Sequence, residues 1–179
     1  MDCDVTILGN GLSSNLFARN LILLYPDIKI IIAGLREGSP FSVGESVTEL
    51  ASHFLQQDLG LSSYLYRHHL HKHGLRFFFD TPGCNLSLSD MSEDASGHIS
   101  VFKTFHINPY RLIQDLQDLN KECGVRYVYG RGSLTNPIDC RHKVVVNDEP
   151  KSREVLIYSR WFVDATGRPS YNRTERCKK

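Results

Sequence analysis

The start of the chain alternates between short apolar runs and one stretch with a helical pattern. Residues 4–8 and 27–32 are apolar and rich in β-branched side chains, which is typical of strands buried inside a parallel sheet. Between them, residues 15–25 carry leucine and phenylalanine at helical spacing and stop before Pro26. Strand, helix and strand in so short a segment predict a βαβ unit.

The second half of the chain repeats this alternation with one helix and several strands. Residues 108–124 have a helical period and end at a glycine, and residues 125–129 have the composition of a strand. Two further β-rich runs, 143–146 and 154–158, are separated by a polar turn. We therefore predict a β-meander inserted before the last strand of the sheet.

The composition is that of a globular protein and excludes a few classes of function. Of the 179 residues, 41% are hydrophobic and 23% charged, and 21 Lys and Arg face 20 Asp and Glu. This near-neutral balance gives no general basic surface for nucleic acid or for an anionic membrane. No apolar stretch is long enough to span a bilayer, and no signal peptide is visible. We expect a cytoplasmic protein that binds neither nucleic acid nor membrane.

Metal and disulfide chemistry find little support in the sequence. The cysteines are odd in number and widely spaced, which argues against a disulfide scaffold and fits a reducing compartment; they are Cys3, Cys84, Cys123, Cys140 and Cys177. Four histidines, His68, His69, His71 and His73, invite a zinc or copper site, and two of them would share one face of a helix. No Cys or Glu set accompanies them, so we predict no metal site.

A glycine-containing turn, residues 9–14, joins the first predicted strand to the first predicted helix. In this position Gly9 would permit a tight turn, and Gly11 would let the backbone approach a pyrophosphate. The N-terminus of the helix would supply unpaired N–H groups and the positive end of its dipole. Ser14 stands at the third position and is small enough for close packing of helix and strand. The context favours dinucleotide binding over a plain structural turn.

The end of the second predicted strand lacks the acidic residue that usually holds the ribose of a dinucleotide. Residues 33–36, Ala-Gly-Leu-Arg, stand there, and the nearest acid is Glu37. Either Glu37 turns back to the ribose, or the backbone holds the adenosine.

Three more motifs follow the glycine turn in order: Gly-Glu-Ser at 44–46, Gly-Val at 124–125 and Asp-Ala-Thr-Gly-Arg at 164–168. This ordered set resembles the flavin-dependent halogenases and their monooxygenase and geranylgeranyl-reductase-like relatives, over nearly the whole chain. The resemblance implies an α/β, Rossmann-like FAD-binding fold of three layers, with a βαβ start and a β-meander insertion. It also implies truncation, because such relatives are longer and carry later motifs that this chain lacks.

The resemblance further implies a domain plan and roles for single residues. Residues 1–179 would be the N-terminal part of an FAD-binding domain, with a partial substrate-domain insertion around 60–105. The FAD pyrophosphate would contact Gly9, Gly11, Leu12, Ser13 and Ser14. The flavin ring or its linker would lie near Gly44, Glu45 and Ser46. Asp164 and Gly167 would help to close the FAD cleft. An alternative for the Gly-Glu-Ser motif is a helix N-terminus, capped by Ser46 with Glu49 as its capping-box partner.

Lys72 stands shortly before the aromatic run at residues 77–79. In halogenases, a lysine in a similar setting guides the oxidised halogen species to the substrate. The resemblance therefore makes Lys72 the candidate catalytic residue, since an ammonium group donates hydrogen bonds and can lose a proton when desolvated. The alternative is a solvated lysine at the end of a basic, histidine-rich helix.

The function that the resemblance implies is the FAD-binding part of a flavin-dependent oxidoreductase. It would act through a flavin C4a-hydroperoxide on a small organic substrate, aromatic or carrier-bound, in halogenation or hydroxylation. The implied partners are a complementing C-terminal polypeptide and a flavin reductase. Two alternatives stay open: a flavin-dependent reductase, and a non-catalytic or decayed nucleotide-binding module.

Overall fold

A computed structural model of the chain describes residues 1–36, 44–74, 76–79, 85–87, 89–95, 103–138, 141–148 and 153–167. The chain forms two compact units, one made of Met1–Val43 with Pro109–Lys179 and the other of Gly44–Asn108. The helices and strands are β1 (Asp2–Leu8), α1 (Leu12–Leu24), β2 (Ile30–Gly34), α2 (Glu49–His53), a π-helical turn (Phe54–Asp58), α3 (Ser62–His68), β3 (Leu70–Lys72), β4 (Arg76–Phe79), β5 (Ser92–Ala95), β6 (Thr104–His106), α4 (Pro109–Glu122), β7 (Arg126–Ile138), β8 (Arg141–Asp148) and β9 (Arg153–Asp164).

Five strands of the first unit form a closed ring in the order β1-β2-β7-β8-β9. The pairs β1–β2, β1–β9 and β2–β7 are parallel, whereas β8 is antiparallel to both β7 and β9. The first part of β7 pairs with β2 and its second part with β8; β9 pairs first with β8 and then with β1. The predicted α/β class and β-meander are confirmed, and the meander is built from the same long strands as the parallel sheet.

Both faces of the parallel strands are buried, which explains their uninterrupted apolar runs. In β2, Ile30 and Ile32 join the core cluster that contains Ile22 of α1. Ile31 points to the opposite face and joins the cluster that contains Val144 of β8. Burying each isoleucine side chain contributes about 1.5–3 kcal/mol. The meander therefore covers the face of the sheet that α1 leaves open.

Glycine or proline residues stand at the ends of the two long helices. α1 starts three positions earlier than the periodicity predicts, because Gly11 serves as its N-cap. α4 begins at Pro109, which suits the first helical position because that residue needs no N–H partner. Its buried face includes Leu112 and Leu116. Gly124, with φ of +91°, follows the helix and donates its N–H to the Lys121 carbonyl.

The second unit packs short elements around a small core. β3 and β6 form an antiparallel pair, and β4 and β5 form another. Its fully buried apolar side chains include Leu59, Leu65 and Phe105. The second unit includes the sequence range 60–105. The assignment of this range to a substrate domain stays a prediction. No helix in the described part of the chain is long and apolar enough to cross a membrane.

Candidate functional site

The turn between β1 and α1 is held by close backbone contacts that only glycine permits. Gly9 has φ of +115°, and its N–H donates to the Ala33 carbonyl at 2.7 Å. A Cβ atom on Gly9 would overlap the carbonyl oxygen of Ala165, just after β9. A Cβ atom on Gly34 would lie 2.7 Å from the backbone nitrogen of Asn10. The ends of β1, β2 and β9 thus meet at this turn.

Gly11 differs from Gly9 in a way that concerns ligands. Its φ is −87°, which any residue can adopt, and a Cβ atom there would meet nothing within 4 Å. The protein's own packing therefore does not require glycine at this position. The space is open in front of the N-terminus of α1, which has no side-chain cap and no acidic residue in its first turn. Uncapped N–H groups at the positive end of a helix favour an anion.

The next three predicted residues are placed differently. Leu12 is half-buried and Ser13 is exposed at the start of α1. Ser14 is fully buried, and its Oγ has no hydrogen-bond partner among the described residues. The Ser14 side chain is thus shielded from solvent.

A cavity of about 540 Å³ lies between the start of α1 and the end of β9. Its lining consists of Ser13, Phe17, Val163, Asp164, Ala165 and Gly167. The Asp164 Oδ1 accepts hydrogen bonds from Thr166, at 3.1 Å from N and 2.6 Å from Oγ1, so this carboxylate shapes the loop after β9. Gly167 has φ of +81°, and Arg168 lies outside the described residues. Of the predicted site residues, Ser13, Asp164 and Gly167 therefore line one cavity, whereas Gly9, Gly11, Leu12 and Ser14 are not part of its lining.

The residue after β2 is joined to the glycine turn by an asparagine side chain, and no acidic residue takes part in this contact. Asn10 Nδ2 donates to the Leu35 carbonyl at 3.0 Å. The Arg36 guanidinium lies 5.5 Å from the centre of the Tyr129 ring. Glu37, the alternative ribose ligand, lies outside the described residues, so that choice stays open.

Asn15, which no sequence motif predicted as a site residue, holds the turn through hydrogen bonds of its side chain. Asn15 is fully buried, and its Nδ2 donates to the Gly11 carbonyl at 2.8 Å and to Asn10 Oδ1 at 3.3 Å. The Tyr127 hydroxyl donates to Asn15 Oδ1 at 2.8 Å, and Asn120 Nδ2 donates to the Asn15 carbonyl at 3.0 Å. The network joins the turn to α4 and β7. The sequence did carry a signal for this role, because Asn15 is a polar residue in the first turn of a largely apolar helix.

Burial raises the pKa of Tyr127 to about 12. A tyrosine in an unfolded chain has a pKa of about 10. The folded state therefore holds the proton of the Tyr127 hydroxyl more tightly than the unfolded state does. The stability that this adds is fully present below about pH 10 and is lost as the pH rises towards 12. We expect the free energy of unfolding in urea to fall over that range, and the Tyr127→Phe variant to show a shallower fall. An equal slope in both proteins would assign the loss to other groups.

In the second unit, residues 44–46 lie beside β6 as a short extended segment. Ser46 forms an antiparallel bridge with His106. The Val47 N–H donates to the Phe105 carbonyl at 3.0 Å, and the Ile107 N–H donates to the Glu45 carbonyl at 2.7 Å. We call residues 44–46 the Gly-Glu-Ser segment.

The alternative in which Ser46 caps a helix is wrong. The N-cap of α2 is Thr48, whose Oγ1 accepts a hydrogen bond from the Ala51 N–H at 3.3 Å. Pairing with His106 keeps Ser46 in extended backbone, and the helix begins only at Glu49. Glu49 is thus the first helical residue rather than a capping-box partner.

Lys72 lies on a strand, not at the end of a helix. α3 ends at His68, and Lys72 stands on β3 opposite Thr104. Its Nζ donates to Ser46 Oγ at 3.0 Å and to the Val47 carbonyl at 2.9 Å. The helix placement in the alternative is therefore wrong, while the choice between a structural and a catalytic lysine stays a prediction. The structure brings two predicted site residues, Lys72 and Ser46, into direct contact.

The histidines do not share a helical face, because the helix stops at His68. His69 is buried, and its Nδ1 accepts a hydrogen bond from the Asn108 N–H at 3.2 Å. His71 packs edge-on against Tyr66 and Phe105. Within the described ranges, no group of three or more His, Cys, Asp or Glu side chains could hold a metal ion.

Comparison with known proteins gives the fold class. No protein-family model matches the sequence, and no curated protein matches it. Among solved structures, the flavin-dependent brominase Bmp2 matches with a TM-score of 0.73 at 18% identity, over 94% of this chain and 39% of the brominase. The halogenase PltM in complex with phloroglucinol and FAD gives 0.75 at 15%, over 98% of this chain and 36% of PltM.

A hydroxylase shares the same fold. The anhydrotetracycline hydroxylase OxyS from Streptomyces rimosus gives a TM-score of 0.70 at 19% identity, over 97% of this chain and 33% of OxyS. The predicted resemblance to flavin-dependent halogenases and monooxygenases is thus confirmed at the level of the fold. This chain spans about two fifths of the brominase and about a third of the hydroxylase.

Proposed function

We propose that this chain is the FAD-binding part of a flavin-dependent oxidoreductase of the halogenase and monooxygenase type. The observation that carries the proposal is the open space at Gly11, in front of the uncapped N-terminus of α1. The match to a halogenase solved with FAD supports the choice of cofactor. When bound, FAD would supply the redox chemistry that activates oxygen.

The residues of the turn would divide the work of holding the pyrophosphate. Gly11 would let the phosphate oxygens approach the backbone, and the N–H groups of Leu12, Ser13 and Ser14 would donate to them. Asp164 would act through the loop that it shapes with Thr166, and Gly167 would complete that loop beside the cavity. The chain would thus bind and orient the cofactor and exclude water from it.

Retention of FAD tests this proposal. Protein purified after exposure to excess FAD should keep flavin absorbance, whereas Gly11→Val should lower the FAD affinity by about 100-fold, because the side chain fills the space for the pyrophosphate. Glu122→Val, at an exposed position on α4, is the matched control and should retain FAD. Equal retention by the wild type and Gly11→Val would refute the assignment.

For a halogenase, we propose Lys72 as the catalytic residue. Its ammonium would hold the oxidised halogen species near a small organic substrate, in a site shielded from water. In a reconstituted full-length enzyme, Lys72→Ala should lower halogenated product by more than about 100-fold per FAD-loaded molecule. Unchanged product per bound FAD would remove this role and favour hydroxylation or reduction.

We also propose that a second polypeptide supplies the rest of the fold and that a flavin reductase supplies reduced flavin. Large apolar side chains around a cavity of about 820 Å³ support the first proposal: Leu24 is 63% exposed, Tyr25 60% and Trp161 61%. Surfaces of this kind promote association.

The chain alone should therefore self-associate, and Trp161→Glu should reduce this. Light scattering after size exclusion measures both, with Arg153→Glu, at an exposed position of the same strand, as the control. A stable wild-type monomer with a sharp melt would instead favour a self-sufficient nucleotide-binding module.

A further inference from the structure

We infer that the chain, when it is alone, forms a two-fold dimer in which α1 of each copy lies in the groove between α1 and β9 of the other. The inference rests on the proposal above that another polypeptide covers this apolar surface, and it names a second copy of this chain as the occupant. It needs no flavin.

The groove lies within the first unit and is as long as α1. The cavities of about 540 Å³ and about 820 Å³ share Phe17 and Val163 in their linings, so they are parts of one groove. It runs from Ser13, near the start of α1, to Tyr25, just after its end. A helix of 13 residues is about 20 Å long. A groove of this length between a helix and a strand fits a second helix.

α1 presents a self-complementary stripe to this groove. Phe17, Leu21 and Leu24 are in the groove lining. Their spacings of four and three residues follow the a/d pattern by which identical helices pair. The one charged residue of α1, Arg19, donates to Cys123 Sγ and does not line the groove. Two copies of α1 can therefore meet without like charges between them.

A two-fold axis along α1 is the symmetry that fills both grooves. Each α1 then lies on β9 of its partner, and the two sheets lie on opposite sides of the helix pair. The two helices run parallel, so that Leu24 faces the partner's Leu24 at one end of the stripe. The outer side of α1, where Leu23 is 44% exposed, is covered by β9 of the partner.

The exposed apolar area is sufficient for a dimer. Four groove residues offer roughly 450 Å² per copy, taking roughly 200 Å² for a fully exposed large side chain. Their exposed fractions are 39% for Phe17, 63% for Leu24, 60% for Tyr25 and 61% for Trp161. With their less exposed neighbours, two copies reach the roughly 1,000 Å² that a specific interface needs. A net charge of +1 adds little repulsion between copies.

Charge exchange at Leu24 tests the dimer and its orientation. Sedimentation velocity of the wild-type chain should show a dimer. Leu24→Lys and Leu24→Glu should each raise the dimer dissociation constant by about 100-fold, because two like charges then face each other in an apolar seam. An equimolar mixture of the two variants should form a heterodimer within about ten-fold of the wild-type constant, since lysine then faces glutamate. Leu156→Lys, at an exposed position of β9 outside the groove lining, is the matched control and should leave the constant unchanged.

Three results would overturn the inference: a monomeric wild type, a mixture that does not recover, or a loss in Leu156→Lys as large as in Leu24→Lys. Circular dichroism of the Leu24 variants checks that they stay folded, which recovery on mixing also requires. FAD retention is a separate measurement. A dimer that retains no FAD would refute the cofactor proposal and leave the dimer, whereas a monomer that retains FAD would do the reverse.

Discussion

Replacing Gly9 with alanine should lower the free energy of unfolding by about 4 kcal/mol, whereas Gly11→Ala should change it by less than about 1 kcal/mol. Two costs add up at Gly9. Alanine would be forced into a backbone conformation with φ of +115°, and its Cβ would overlap the Ala165 carbonyl. Backbone cannot move aside as cheaply as a flexible side chain. Gly11 carries neither cost.

Urea unfolding, followed by tryptophan fluorescence and circular dichroism, measures this difference. Because total stabilities are about 5–15 kcal/mol, Gly9→Ala removes a large share and should also reduce soluble expression. Equal stabilities of the two variants would show that the Gly9–Ala165 contact relaxes without cost. The pair of variants also separates a folding glycine from a ligand-binding glycine in one turn.

Both glycines, and their separate roles in the turn and in the approach of a ligand, were predicted from the sequence, but the contact that makes glycine necessary at position 9 was not. The order of strand, turn and helix is local and can be recognised from periodicity. The contact of Gly9 with Ala165 joins residues far apart in the chain, at neighbouring ends of parallel strands. Only the fold shows which glycine the protein needs for itself.

The position of Lys72 also depends on contacts between residues that are far apart in the chain. Its sequence neighbours are basic and histidine-rich, which suggested the end of a helix as an alternative. The structure ends α3 at His68 and pairs β3 with β6, which follows about thirty residues later. Strand pairing over such a distance overrides local helical preference. The contact of Lys72 with Ser46 is therefore a product of the fold.

The N-cap of α2 also depends on strand pairing that the sequence does not show. Ser46 and Thr48 are both acceptable N-caps by residue type. The bridge to His106 holds Ser46 in extended backbone, so Ser46 cannot cap the helix. Thr48, two residues later, is the N-cap instead.

Asn15→Leu should lower the free energy of unfolding by about 3 kcal/mol, with a direct effect on the turn. Leucine is similar in size, but it leaves the Tyr127 hydroxyl, the Gly11 carbonyl and Asn10 without the Asn15 side chain. Most of the cost comes from the Tyr127 hydroxyl, which loses the Asn15 Oδ1 acceptor. Asn10 Oδ1 keeps the hydrogen bond from Gln117 Nε2 at 3.2 Å, and the Gly11 carbonyl keeps the one from the Asn15 N–H. The FAD affinity should fall as well, since the Gly11 carbonyl loses its closer hydrogen bond, from Asn15 Nδ2 at 2.8 Å, and keeps only the one from the Asn15 backbone N–H at 3.2 Å.

A double-mutant cycle isolates the buried bond. Tyr127→Phe removes the hydroxyl, so Asn15→Leu made in that background no longer leaves it unpaired. The double variant should then lose about 1–2 kcal/mol less than the sum of the two single losses. Urea denaturation of the four proteins at pH 7 gives the coupling free energy. Strict additivity would mean that the Tyr127 hydroxyl does not depend on Asn15, and the turn would then be held mainly by Asn15 Nδ2 and the Gly11 carbonyl.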